Sequence, residues 1–116
     1  MEQFYIIIVA LVFNLFDMLT GILSGIKNKE IKSSKLRDGL FKKVGFICCY
    51  FLAWLLDTQG KNIGFEIGVS ILPIIITYVC LTEVVSIIEN ICKINPDLAT
   101  SKLAELFHIS DLKENN

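Results

Sequence analysis

Apolar residues along this chain fall into three long blocks separated by polar segments. The first runs from Phe4 to Leu23 and is interrupted only by Asn14, Asp17, Thr20 and Gly21. Its run from Tyr5 to Phe13 is apolar on every face, unlike a helix with one side in water. The second block runs from Leu40 to Leu56, and the third from Ile67 to Ile88. A bilayer core of about 30 Å needs roughly 20 helical residues at 1.5 Å rise. The pattern therefore predicts an all-α integral membrane protein with three transmembrane helices, at about 4–25, 34–57 and 65–92, in one domain spanning 1–116.

Asp17 opposes insertion of the first block by about 3 kcal/mol, whereas its thirteen Leu, Ile, Val and Phe residues return about 4–8 kcal/mol. The block therefore inserts. A cleaved signal peptide is not expected, because Met1, Glu2 and Gln3 carry no positive charge and no small-x-small site follows. In the third block Pro73 is expected to kink the helix. A soluble three-helix bundle is the alternative, and the runs apolar on all faces argue against it.

Composition sharpens this picture. The 116 residues are 53% hydrophobic and 20% charged, with net charge −1, and mean hydropathy is +0.61. This excludes a disordered chain and disfavours a nucleic-acid binder. Seven of the eleven basic residues lie between the first two blocks: Lys27, Lys29, Lys32, Lys35, Arg37, Lys42 and Lys43. The positive-inside rule puts this segment in the cytoplasm, with the N-terminus outside and the C-terminus inside. These residues are expected at the membrane surface, on a basic amphipathic segment capped by Ser33 or Ser34, near anionic lipid. Trp54 suits an interfacial position. In the tail, 96–116, Asn95-Pro96-Asp97 opens a short amphipathic helix with Ala99, Leu103, Leu106 and Phe107 on one face.

No catalytic constellation is visible, so the chain reads as no enzyme, with no cofactor, metal or small-molecule substrate. Cys48, Cys49, Cys80 and Cys92 form no C-x-x-C, and His108 is the sole histidine. The cysteines read as small apolar side chains. The informative residues are polar ones inside the spans. Asn14, Asp17, Gly21, Ser24 and Gly25 share one face of the first helix, and Gly21 to Gly25 is a G-x-x-x-G that permits close helix approach. Glu83, Ser86 and Asn90 form a second strip, with Thr82 and Glu89 at its margins. An ionisable residue at membrane depth is a functional candidate. The alternative is an internal contact, with Asp17 protonated or paired to a lysine of the basic loop. Three helices cannot enclose a pore, so the strips are expected to meet between subunits of a homo-oligomer.

The stretch Asp17-Met18-Leu19-Thr20-Gly21-Ile22-Leu23-Ser24-Gly25, followed by Ser33-Ser34-Lys35-Leu36-Arg37-Asp38-Gly39-Leu40-Phe41-Lys42-Lys43, resembles phage lysis and toxin-secretion holins of Gram-positive bacteria. The resemblance covers about residues 4–93. It implies a protein that oligomerises in the bacterial cytoplasmic membrane to make lesions releasing a cell-wall hydrolase or large toxin, with an antiholin as a candidate partner. The tail departs from the strongly basic tails of many holins: Lys102 and Lys113 stand against Asp97, Glu105, Asp111 and Glu114. A non-pore interaction protein, an antiholin or small adaptor, is the second reading.

Overall fold

The structure, a computed structural model, describes residues 2–100. Three long helices make up the fold: α1 (Glu2–Asn28), α2 (Ser33–Gln59) and α3 (Ile71–Ile94). Single 3₁₀ turns follow α2 at Gly60–Ile63 and α3 at Pro96–Thr100. No strand occurs among the described residues. At 1.5 Å per residue α1 and α2 are each about 40 Å long. Each of the three is long and apolar enough to cross a membrane. The expected tail helix lies outside the described residues beyond Thr100.

The contacts give the directions. Asn14 meets Tyr50 and Asp17 meets Lys43, so α2 runs antiparallel to α1. Lys27 Nζ donates to the carbonyls of Lys93 and Ile94, at 3.3 and 2.6 Å, so α3 runs parallel to α1. That lysine also satisfies carbonyls that the end of α3 leaves without intrahelical partners. One apolar cluster packs Ala10 of α1 against Tyr50 and Ala53 of α2 and Leu72, Ile76 and Val79 of α3. A second holds Ile88 and Cys92, packed by Val84 and Leu98. The small Ala10 and Ala53 let the backbones approach. Outward faces are strongly apolar, with Phe4, Val12, Leu15, Phe41, Phe51, Ile74 and Leu81 all exposed. Water would oppose that surface, and lipid accommodates it.

Helix ends correct several expectations. α1 closes with Lys29 at φ 55°, the Glu30 N–H donating to Gly25 O at 2.9 Å and the Lys29 N–H to Ile26 O at 3.4 Å. This is a Schellman arrangement, with lysine where glycine is usual. Neither Ser33 nor Ser34 caps α2. The cap residue is Lys32, without a side-chain bond. α3 starts at Ile71 rather than 65, because Gly64 and Gly68 hold φ near +80° and break the chain into a turn. Pro73 therefore falls in the first turn of α3, where its missing N–H has no intrahelical partner to lose. The expected mid-helix kink has no cause at that position.

Ser70 gives α3 no side-chain cap. The cap comes from the end of α2, where the Asp57 carboxylate accepts from the Ile71 N–H at 2.7 Å and the Leu72 N–H at 2.8 Å. Charge and hydrogen bonding both favour a carboxylate there. Asp57→Ala should cost about 1–2 kcal/mol. Unfolding in mixed micelles of increasing denaturing detergent would measure it, and an unchanged midpoint would remove Asp57 from this role.

Candidate functional site: a buried charged layer

Between the two apolar clusters lies a polar layer drawn from all three helices. Lys43 sits 10 residues into α2, about 15 Å along its axis. Its ammonium donates to Asp17 Oδ2 on α1 and to Glu83 Oε2 on α3, each at 2.8 Å. Glu83 is fully buried, and Lys43 is 8% exposed. Asn14 Nδ2 also donates to Glu83 Oε2, at 2.9 Å, and Asn14 Oδ1 accepts from the Tyr50 hydroxyl at 2.8 Å. On the other side Asn90 Nδ2 donates to Asp17 Oδ1 and Thr20 Oγ1, both at 3.1 Å. Glu83 Oε1 is buried with no partner. The formal charges of Asp17, Glu83 and Lys43 sum to −1.

Such a layer is costly in a membrane and tolerable only when paired. The polar side chains of the α1 and α3 strips meet inside one chain. Within the single chain the strips already meet each other, before any association between subunits. The reason is Lys43, which supplies the counter-charge both carboxylates need. Lys43 was expected at the membrane surface with the other basic residues and is instead buried. Lys29 and Lys32 are exposed before α2, Lys35, Arg37 and Lys42 are exposed along its first three turns, and Lys27 caps α3.

The G-x-x-x-G is also used internally. A Cβ on Gly21 would lie 3.6 Å from Asn90 Nδ2, and one on Gly25 would lie 2.9 Å from the Ile31 side chain. Ser24 is buried beside them, while Ser86 is half-buried and lines a groove described below. Tyr50, Thr20 and Asp57 were missed as members of this framework. For Tyr50 and Asp57 the signal was spacing: Lys43, Tyr50 and Asp57 recur every seven residues and so share one face of α2. Cys48 and Cys49 are exposed, Cys80 is half-buried and Cys92 is buried, all as free thiols. No group of three metal-ligating side chains occurs among the described residues.

Three membrane-length helices, a basic connection after the first, and charged residues at mid-span form an arrangement that can be compared with known families. Residues 3–110 match the model of the bacteriophage holin family, nearly the whole chain. The chain belongs to the bacteriophage holin family. No curated protein and no solved structure matches it. As a holin-type membrane protein it holds Asp17, Lys43 and Glu83 in the interior of a single bundle and turns apolar side chains outward. Its buried layer is an ion-paired joint between the three helices.

Proposed function

We propose that this chain is a pore-forming holin: it accumulates in the bacterial cytoplasmic membrane, associates with copies of itself, and opens lesions that release a cell-wall hydrolase or large toxin. Holin-family membership supports the class. The observation that carries the mechanism is the ion-paired layer of Asp17, Lys43 and Glu83 in the middle of three lipid-facing helices. In the resting chain one ammonium pairs with both carboxylates, so the protein sits in lipid without harm. When helices of neighbouring copies associate, the same side chains exchange their internal partners for water and for residues of other subunits. Asn14, Asp17, Gly21, Ser24, Gly25, Glu83, Ser86 and Asn90 are the residues we assign to that assembled face. The reading involves no enzymatic step.

Inducible expression in a bacterium lacking other lysis genes tests this. Release of a cytoplasmic marker should follow induction after a lag, with crosslinked multimers appearing at the same time. Equal membrane accumulation without release would favour the second reading, an antiholin or adaptor.

Orientation is proposed from the basic connection, which favours a cytoplasmic location for Lys27 to Lys43. A cysteine introduced at Asn28 should react with an impermeant thiol reagent only in inverted vesicles, and one at Asn62 only in intact spheroplasts. The background is a chain with its own cysteines replaced. The opposite labelling pattern would reverse the topology.

A further inference from the structure

At the end of the bundle where α1 finishes and α2 begins, the helices leave an open groove of about 390 Å³. Its walls carry Lys32, Lys35, Lys42 and Lys93, each exposed and none in an ion pair among the described residues. Two of the lining carboxylates are already engaged, Asp17 with Lys43 at 2.8 Å and Asp38 with Arg37 at 3.8 Å. Among the described residues, Glu30 alone of the lining carboxylates remains to offset these four ammonium groups, of which that of Lys42 also lies 5.8 Å from the centre of the Phe46 ring. The groove therefore has a cationic excess, and the first turn of α2 beside it contains no acidic residue.

The wall changes character with depth. Met18 and Ile22 of α1 line its inner part, and Leu36 lies next to the lysines. Met18 lies about 15 Å from the end of α1 and Lys32 lies beyond the helix end. A ligand that fits both zones has an anion at the level of the helix ends and a hydrocarbon chain running inward along the helices. We infer that this groove binds the phosphodiester headgroup of an anionic phospholipid, with one acyl chain against Met18 and Ile22. Basic pockets between membrane helices recognise anionic headgroups through the same combination of charges. The floor of the groove includes Asp17, Lys43 and Asn90, so the acyl chain along Met18 runs inward beside the ion-paired layer. The inference rests on membrane insertion alone and holds whether or not the chain makes lesions.

The test uses the full chain purified in a zwitterionic detergent. Mixed micelles containing dioleoyl phosphatidylglycerol should raise its thermal unfolding midpoint saturably, while phosphatidylcholine at equal mole fraction should not. Lys32→Gln, Lys35→Gln and Lys93→Gln should each weaken the apparent affinity for phosphatidylglycerol by about five-fold. Lys61→Gln, the same charge change at the opposite end of the bundle, should leave it unaltered. Equal stabilisation by phosphatidylcholine would overturn the site. So would stabilisation by inorganic phosphate without lipid, which would assign the groove to a soluble anion. An equal loss of affinity in Lys61→Gln would reduce the effect to overall charge.

Discussion

Lys43→Met should destabilise the bundle by about 3–5 kcal/mol, because it leaves two carboxylates buried without their shared cation. Asp17 would keep only Asn90, and Glu83 only Asn14, neither of which carries a charge. Glu83→Gln is the informative contrast. It removes one charge and leaves Asp17 and Lys43 as a balanced pair, so its cost should be about 1–3 kcal/mol, that of a buried polar group left short of partners. The two changes should also couple. Combined, they should cost less than the sum of the separate losses, because the second removes a charge that the first had stranded. Unfolding midpoints in mixed micelles measure all three. Strict additivity would mean that the ammonium does not bind the two carboxylates as a unit.

The second expectation separates a structural joint from a working part. Replacing Asp17, Lys43 and Glu83 together, as Asp17→Leu, Lys43→Met and Glu83→Leu, removes the whole ion-paired group at once. Apolar replacement of a buried triad is often neutral or stabilising by about 1–4 kcal/mol. Membrane insertion should also improve, since a mid-span Asp or Lys each opposes it by about 3 kcal/mol. The triple variant should therefore accumulate normally and unfold no more easily than the parent. If the charged layer becomes the wet wall of a lesion, marker release should nevertheless fall to background. Release at the parental rate, at matched membrane levels, would show that the triad only holds the resting bundle together and that lesions are walled by other residues.

The contrast between these two experiments follows from how the layer is built. One missing partner strands charge in a medium that cannot solvate it, whereas removing all three charged groups leaves no charge to strand. The same reasoning explains why Asn14, Tyr50, Thr20 and Asn90 surround the triad. Each supplies a hydrogen bond to a group that lipid could not satisfy.

Much of this was legible from the order of residues alone. Three predominantly apolar blocks near membrane length determined three helices, because a backbone in lipid must satisfy its own polar groups. The spacing of Asn14, Asp17 and Gly21, and of Glu83 and Asn90, determined that each set shares a face, because helical periodicity is local. The basic connection was equally plain. What the sequence left open was partnership. Lys43 stands in a run of lysines with nothing local to distinguish it from Lys42, yet it turns inward and Lys42 turns out. Its partners lie 26 and 40 residues away, so the choice depends on how α2 is rotated against α1 and α3. Pro73 is a similar case: its effect depends on where α3 begins, and Asp57 helps to set that start from another helix. Periodicity decides which residues share a face, but only the packing of three faces together decides which charges are buried, because that energy belongs to the assembled layer and to no single helix.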